Sequence, residues 1–328
     1  MSKVLYNSLG VSAVGIASYF WGKSGSNVPA GDTNVKTPTP PTGVAPVGSG
    51  TGAVGGSFDP ALIRPQDFYK YGFPGPVHDL TTRGEFVSCY DRATRNPYWV
   101  VEHITQELIR RGEGVDRSKS VFKEDETIPL KFRNRLRDFF RSGYDRGHNA
   151  PAADAKYIQL AMDETFYLTN ISPQVGEGFN RDYWAHLEDF GRRLTKSYDD
   201  VRIMTGPLYL PKKCADGKYR VEYEVIGSPP NIAVPTHFFK LIVGENKRDQ
   251  GQKISYAAFV LPNDKIENLT PLTSFQVPLE ALEKSSGLEL LGKVPYYNKK
   301  DLCQEVKCEI IVREFLPQTQ KVLALPGK

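Results

Sequence analysis

The sequence contains few cysteines, and this scarcity excludes one class of protein. Four cysteines occur among 328 residues, too few for the disulfide framework of a small secreted scaffold. Cys303 and Cys308 are close enough to pair or to share a metal, whereas Cys89 and Cys214 are isolated. Because no second pair stands at ligand spacing, the pattern does not favour a structural zinc site. We expect the cysteines to be mostly reduced or incidental.

The chain also lacks a glycine-rich phosphate loop of the Walker or dinucleotide-binding type. It lacks a strong excess of one charge, since 42 basic residues stand against 38 acidic ones and the net charge is +4. That balance is weak evidence for any partner. Hydrophobic residues make up 40% of the chain and aromatic residues 11%, which is enough to fill the core of a folded protein.

Positive charge is concentrated in one short stretch, residues 131–148, where only Asp138 and Asp145 are acidic. A basic run of this kind is usually a solvated surface. It can also neutralise phosphates, and here it leads directly into a histidine motif. The basic residues of the run are Lys131, Arg133, Arg135, Arg137, Arg141 and Arg146.

The N-terminal part differs in composition from the rest. Residues 1–23 form a mostly apolar run with Lys3 and Lys23 near its ends, and no acidic residue occurs before Asp32. This pattern favours a mitochondrial targeting segment or membrane anchor, with a secretory signal peptide as the alternative. Residues 24–57 are rich in Gly, Pro, Ser and Thr, which predicts a disordered linker. We expect the folded domain at residues 58–290, followed by a C-terminal extension of unknown role at residues 291–328.

Residue patterns in the folded part predict an α+β protein with a mainly antiparallel central sheet flanked by helices. Strands and helices do not alternate strictly, which argues against a Rossmann-type fold. Apolar, β-branched and aromatic runs predict a hairpin at 86–90 and 98–103, and further strands at 166–170, 201–205, 219–226, 233–243 and 254–261. Helices are predicted at 155–164 with Asp154 as N-cap, at 181–197, and at 278–285.

The sequence Asp-Arg-Gly-His at 145–148 is the strongest chemical signal in the chain. His148 can act as a general base because an imidazole titrates near neutrality, although a lone histidine is more often structural. In an extended backbone, residues two apart point to the same side. We therefore expect Arg146 and His148 to face one phosphate together. Gly147 between them permits an unusual turn or a close approach of substrate.

Asn180, Trp184 and Glu188 follow at intervals of four residues on the predicted second helix. Asn180 is either the N-cap of that helix or a magnesium ligand through its amide oxygen. Glu188 is either a solvent-exposed helix residue or a group that holds water around the metal. Trp184 is expected to pack in the core. Together with His148, these residues predict a one-metal nuclease that cuts nucleic-acid phosphodiesters.

These segments resemble the DNA/RNA non-specific endonuclease family with the Asp-Arg-Gly-His signature, and within it the mitochondrial endonuclease G group in its fungal form. The resemblance covers residues 64–290. The segments that carry it are Lys-Tyr-Gly at 70–72, Cys-Tyr-Asp at 89–91, Trp-Val-Val-Glu at 99–102, Tyr-Asp-Arg-Gly-His at 144–148, Ala-Met-Asp-Glu-Thr-Phe-Tyr-Leu-Thr-Asn at 161–170, Asn180, Trp184, Glu188, Thr-Gly-Pro-Leu at 205–208, and Val-Pro-Thr-His-Phe-Phe-Lys at 234–240.

The resemblance implies a ββα-metal nuclease fold, in which the histidine lies on a strand and the metal-binding asparagine on the following helix. By that pattern His148 is the general base and Asn180 the direct Mg²⁺ ligand, with Mn²⁺ as a substitute metal. Glu188 would support the hydrated metal, and Arg146 would steady the phosphate. Nucleic-acid contacts are expected from Arg141, Arg146 and Asn170.

The same resemblance implies an enzyme that cuts both DNA and RNA, leaves 5′-phosphate ends and forms a homodimer. It also implies a role in mitochondrial nucleic-acid degradation and cell death, with a location in the intermembrane space or at the inner membrane. Two alternatives stay open: a catalytically inactive nucleic-acid-binding protein of the same fold, and a secreted nuclease of the same chemistry. Residues 24–57 and the part after residue 291 have no clear counterpart in the family pattern.

Overall fold

The structure is a computed structural model that describes residues 68–72, 79–249 and 253–312. The predicted targeting segment and linker, residues 1–57, lie outside the described residues. Within the described ranges, no helix is both long enough and apolar enough to cross a membrane.

A large sheet organises the folded part, and six short strands form three separate pairs beside it. In chain order the strands are β1 (Asp79–Thr82), β2 (Phe86–Asp91), β3 (Asn96–Ile104), β4 (Asp145–His148), β5 (Ile171–Gln174), β6 (Asp200–Leu208), β7 (Lys212–Lys213), β8 (Tyr219–Arg220), β9 (Val225–Ile226), β10 (Ile232–Ala233), β11 (His237–Glu245), β12 (Ile254–Pro262), β13 (Gln276–Val277) and β14 (Lys299–Asp301). The large sheet has eight strands in the order β1–β2–β3–β6–β11–β12–β13, with β14 pairing β12. Only the β12–β14 pair is parallel, so the predicted α+β class with a mainly antiparallel sheet is confirmed.

The helices lie between and beyond these strands. They are α1 (Gln159–Glu164), α2 (Trp184–Leu194), α3 (Leu279–Ser286) and α4 (Leu302–Glu305). A kinked helical segment, Gly176–Tyr183, leads into α2 and has non-helical backbone angles at Glu177 and Gly178. Short 3-10 turns occur at Arg117–Lys119, Leu130–Phe132, Leu136–Phe139, Leu168–Asn170, Lys247–Asp249, Leu272–Phe275 and Tyr296–Asn298.

Helix α2 packs its apolar stripe against the sheet. Leu187, Phe190 and Leu194 are buried in one cluster with sheet residues such as Phe238. The helical spacing of these residues in the sequence predicted this contact. Trp184 is fully buried in the same cluster, which confirms its predicted role in the core.

Several predicted elements are confirmed with small shifts of their ends. The hairpin at 86–90 and 98–103 is β2 and β3, the strands at 201–205 and 254–261 are β6 and β12, and the helix at 278–285 is α3.

The predicted strand at 166–170 is wrong, because its second half is a 3-10 turn, Leu168–Asn170. The Asn170 side chain donates hydrogen bonds to the carbonyl oxygens of Ala150 and Thr165, and accepts one from the N–H of Ala150. These long-range bonds favour a compact turn over the extended form that the β-branched and aromatic residues suggest.

Two predicted helix starts are also wrong. The helix predicted from residue 155 begins at Gln159, because the carboxylate of Asp154 accepts a hydrogen bond from Arg192 at 2.7 Å instead of capping a helix. The helix predicted from residue 181 is preceded by the kinked segment, whose first residue follows Val175. Asn180 therefore lies inside helical backbone and is not an N-cap.

The strands predicted at 219–226 and 233–243 are each broken. Tyr219–Arg220 pairs with β7, while Val225–Ile226 pairs with β10, so no single strand runs through the first range. In the second range Pro235 has no N–H to donate to a strand ladder, and β11 begins only at His237.

The C-terminal part is built into the same fold as the central sheet. Strand β14 extends the central sheet beside β12, and Leu302 of α4 is fully buried in the cluster beneath α2. Cys303 and Cys308 form a disulfide, called here the C-terminal disulfide, which decides between the pair and the shared metal that their spacing left open. Their short spacing permitted a pair, but composition alone could not tell a pair from two isolated thiols.

Candidate active site

The Asp-Arg-Gly-His motif forms strand β4, which pairs antiparallel with β5. The chain then enters the kinked segment and α2, so two strands and a helix follow one another as the resemblance implied. Gly147 lies opposite Ser172, and a Cβ at Gly147 would sit 2.0 Å from Oε1 of the buried Gln174. The glycine is therefore required by the close packing of β5, and not by a left-handed turn.

His148 lies in an aromatic box. Its ring is 4.8 Å from Phe166 in an edge-on contact and 5.4 Å from Phe122, centroid to centroid. The side chain is buried, and Nε2 has no hydrogen-bond partner among the described residues. Burial, together with the positive charges of Arg117 and Arg146, lowers the pKa of His148 well below its ordinary value. The imidazole is thus neutral near pH 7, as a general base must be.

Two arginines flank this histidine on the same aromatic rings. The Arg146 guanidinium lies 4.4 Å from the centre of the Phe122 ring, and the Arg117 guanidinium lies 5.2 Å from the centre of Phe166. Burial lowers the pKa of both groups, but an arginine stays charged under all ordinary conditions. His148 therefore faces a pair of cations, an arrangement suited to an anionic phosphate.

Asn180 is oriented by the first residue of the motif. Its Nδ2 donates a 3.0 Å hydrogen bond to the carboxylate of Asp145, and its backbone N–H donates to the carbonyl of Val175 at 2.9 Å. Arg181 pairs with the same Asp145 carboxylate at 3.0 Å. Because its amide nitrogen is bound in this way, Asn180 presents its Oδ1 as the free end of the side chain.

Glu188 lies two turns further along α2, half-buried. Burial raises the pKa of Glu188 to about 7, against the opposing effects of the cations Lys240 and Arg192. Lys240 itself is buried under the helix, where its Nζ donates to Oγ1 of Thr205 at 2.7 Å and lies 4.9 Å from the Trp184 ring. Glu188 is therefore a constrained carboxylate, and not the solvated helix residue that was its alternative reading.

The side chains present fit a hard divalent cation held by few protein ligands. Asn180 supplies an amide oxygen and Glu188 a carboxylate, and oxygen donors of this kind suit Mg²⁺, which keeps most of its water. Among the described residues no group of three or more His, Cys, Asp and Glu side chains could enclose a metal.

The two remaining predicted nucleic-acid contacts fall in different environments. Arg141 is exposed just before β4 and stacks 5.0 Å from the centre of the exposed Phe140 ring. Asn170 is fully buried and uses its side chain to tie the turn after α1 to Ala150. Its position makes it a structural support of the β4–β5 pair, and its contact with nucleic acid stays a prediction.

Several residues of the site were missed from the sequence. Phe122, Phe166 and Arg117 come from a loop and turns whose sequence gives no periodic signal. Lys240 interrupts the apolar run from Phe238 to Val243 in β11, and a lysine within such a run is the signal that would have found it. Asp145 was visible in the motif, but its bond to Asn180 depends on tertiary structure.

A cavity of about 740 Å³ lies elsewhere, at the C-terminal end of α2. It contains the buried His103, whose Nε2 lies 2.7 Å from Oδ1 of Asp200. None of the residues that line it belongs to the group around His148 and Asn180. The cavity is therefore separate from the candidate site.

Comparison with known proteins agrees with this geometry. The sequence profile described as DNA/RNA non-specific endonuclease matches residues 64–296. The chain is 64% identical over 271 residues to the mitochondrial nuclease of Saccharomyces cerevisiae, covering 80% of this chain and 82% of that protein. It is 46% identical over 335 residues to nuclease 1, mitochondrial, of Schizosaccharomyces pombe, and that alignment covers 100% of both chains. The linker and the C-terminal part thus have counterparts in that protein.

The fold is also found in a solved structure. In a crystal structure described as the EndoG/EndoGI complex, the matched chain is 49% identical and superposes with a TM-score of 0.68, covering 71% of this chain and 93% of that chain.

Proposed function

Because this chain belongs to the DNA/RNA non-specific endonuclease family, we propose that it is a magnesium-dependent endonuclease that cleaves both DNA and RNA and leaves 5′-phosphate ends. One observation carries the proposal. Asp145 and His148 stand on the same short strand, where Asp145 orients Asn180 and His148 offers a buried nitrogen without a partner. Strand β4 therefore carries the proposed base, His148, and also orients the proposed metal ligand, Asn180.

His148 acts on the attacking water. Its neutral Nε2 takes a proton from the water as the water oxygen bonds to phosphorus, and the bond from phosphorus to the 3′ oxygen breaks. Because Arg117 and Arg146 disfavour the protonated ring, His148 returns the proton readily after the reaction. The base is thus available across the neutral pH range.

Arg146 and Arg117 hold the scissile phosphate. Their guanidinium groups are stacked on Phe122 and Phe166, which limits their movement, and a fixed guanidinium matches phosphate geometry. Charge that develops on the phosphate in the transition state is stabilised by donors already in place. Arg141, which is exposed in the turn before β4, adds a further positive charge.

Asn180 and Glu188 would hold the metal, Asn180 through Oδ1 and Glu188 through water. A divalent cation bound there would neutralise charge on the phosphate and stabilise the leaving 3′ oxygen. Mn²⁺ prefers similar oxygen donors and is proposed as a substitute.

The contacts proposed for the arginines and the metal are to the phosphate and sugar groups, and such contacts do not distinguish one base from another. We therefore assign the cleavage of both DNA and RNA to this one site. The names of the relatives support a mitochondrial location, which we place at the intermembrane space or inner membrane. A role in mitochondrial nucleic-acid degradation and cell death, and a homodimer, are proposed from the family resemblance.

The test uses the full chain with supercoiled plasmid and with a structured RNA, in magnesium or in chelator, beside Asn180→Ala. We expect magnesium-dependent loss of both substrates, and a variant that needs much more magnesium and reacts far more slowly. If the folded wild-type protein bound both substrates but cut neither, the result would favour the alternative, a catalytically inactive nucleic-acid-binding protein. An unchanged magnesium titration in Asn180→Ala would remove Asn180 from the metal site.

A further inference from the structure

The segment before β4, residues 130–141, presents an outer surface made only of apolar and cationic side chains. Its only acidic residue, Asp138, is buried and accepts hydrogen bonds from the backbone N–H of Arg135 and the side chain of Asn231. Such a surface suits a polyanion that also offers flat apolar groups. The exposed residues of the segment are three pairs in which a cation directly follows an apolar residue, namely Leu130-Lys131, Leu136-Arg137 and Phe140-Arg141.

Phe140 is the most exposed aromatic residue of this segment, with 64% of its surface accessible. Its neighbour Phe139 is buried in an apolar cluster of the core. The turn that follows is fixed by Ser142, whose Oγ donates to the carbonyl of Phe139 at 3.0 Å and accepts from the N–H of Tyr144 at 3.2 Å. Phe140 is therefore held outward by a turn that is anchored on both sides.

Arg141 adds a cation to this ring. Its guanidinium lies 5.0 Å from the centre of the Phe140 ring, and its backbone has a positive φ of 55°, which is uncommon for a residue with a side chain. Such backbone conformations are concentrated at binding sites and active sites. The ring and the guanidinium together offer an aromatic surface to a base and a positive charge to the phosphate beside it.

The ring lies within reach of the proposed active site. Six residues separate Phe140 from Arg146, so their Cα atoms are at most about 20 Å apart. A nucleic-acid strand rises about 3.4 Å per nucleotide, so roughly six nucleotides span that distance. One strand can therefore contact both residues at once.

We propose that Phe140 stacks on an unpaired base of the bound strand, while Arg141 binds a phosphate next to that base. The inference rests on the proposed function, to which it adds a base contact outside the metal site. Phe140 is then a positioning residue, because the stacked base fixes the strand relative to His148. Stacking needs no hydrogen bond to a base edge, so every base can be accepted.

A nucleic-acid strand fits this surface better than a lipid surface does. Lipid surfaces are bound by helices with a continuous apolar face, whereas this segment contains only the short 3-10 turns Leu130–Phe132 and Leu136–Phe139. The segment also leads directly into β4, so its cations continue towards Arg146 and His148.

The first test measures how tightly the full chain binds a single-stranded oligothymidylate of about 12 nucleotides, in chelator so that the strand stays intact. Phe140→Ala is expected to weaken binding roughly tenfold, the loss of about one stacked base. Phe140→Leu keeps an apolar side chain without the ring and should weaken binding similarly, whereas Phe140→Trp should retain it. Leu160→Ala is the matched control, because Leu160 is also 64% exposed but lies on α1, and it should bind like the wild type.

The second test removes the bases instead of the ring. An abasic strand of the same length keeps the sugar and phosphate contacts, so the wild type and Phe140→Ala should bind it equally. An equal loss in Phe140→Ala on both strands would show that the ring acts without stacking, and would overturn the proposal. Wild-type affinity for oligothymidylate in Phe140→Leu would overturn it as well.

Two further measurements, sedimentation and binding to phosphatidylglycerol vesicles, identify another occupant of the surface. If Phe140→Ala changed either of these and left the affinity for oligothymidylate intact, the ring would be assigned to a second copy or to lipid, against the proposal. Because binding in chelator needs no cleavage, the two proposals can fail separately. A wild-type chain that shows the stacking pattern but never cuts would contradict the proposed function and support this inference.

Discussion

Adding one methyl group at Gly147 should disable the site with little loss of fold. A Cβ there would lie 2.0 Å from Oε1, 2.2 Å from Cδ and 2.5 Å from Cγ of Gln174, whereas an ordinary contact begins at 3.4 Å. Gln174 is fully buried, so either its side chain or strand β4 must shift in a closely packed interior. Overpacking of this kind costs about 1–3 kcal/mol, and a displacement of about 1 Å at a catalytic group costs about 10²-fold in rate.

The assay is single-turnover cleavage of a short duplex, with thermal unfolding followed by circular dichroism. We expect Gly147→Ala to lose about two orders of magnitude in rate and to unfold a few degrees lower. Gly292→Ala is the control, because nothing lies within 4 Å of its added Cβ. Gln174→Ala added to Gly147→Ala removes the clashing atoms and should recover much of the rate. Wild-type activity in Gly147→Ala, or no recovery in the double variant, would refute the packing argument.

Three further outcomes follow from the same contacts. Asp145→Ala releases the amide of Asn180, so a magnesium titration of cleavage should shift to higher concentration, while the affinity for nucleic acid in chelator stays close to that of the wild type. Arg117→Ala removes a cation that lowers the pKa of His148; that pKa should rise, and the acid limb of the pH–rate profile should move to higher pH, in addition to any loss of rate. Cys303→Ser opens the C-terminal disulfide, whose short loop contributes about 2 kcal/mol, so the melting temperature should fall by about 4–8 °C and added reductant should no longer lower it.

Most of the fold could be predicted from the sequence because the strongest sequence patterns were local. The hairpin β2–β3 and strands β6 and β12 are marked by β-branched and aromatic runs, and α2 by its apolar spacing. In these elements the local preference and the tertiary environment favour the same structure.

Predictions failed where a single long-range contact decided the local structure. The turn at Leu168–Asn170 exists because the Asn170 amide bonds to Ala150, and α1 begins late because Asp154 is paired with Arg192. A polar side chain with a distant partner has no signature in its own neighbourhood. The broken strand at 219–226 was misjudged for a different reason: its alternation is that of a strand, but its two ends pair with different strands, β7 and β10.

The proposed reacting groups of the site could be named from the sequence, whereas the residues that support them could not. His148, Arg146, Asn180 and Glu188 stand at recognisable spacings, because chemistry constrains the type of residue. The rings and charges around them come from distant segments, and their roles follow from distances that only the folded chain provides. Asp145 is an intermediate case. It is part of the visible motif, but only the structure shows that it accepts a hydrogen bond from Asn180.

The role of His148 is tested most directly by comparing two histidines of equal exposure. His148 and His103 are both 8% exposed, but His103 lies in the separate cavity at the other end of α2. Single-turnover cleavage should fall by about 10²–10⁴-fold in His148→Ala, with folding and nucleic-acid affinity retained, and should change little in folded His103→Ala. A His148→Ala protein that cuts within a few-fold of the wild-type rate would contradict the account.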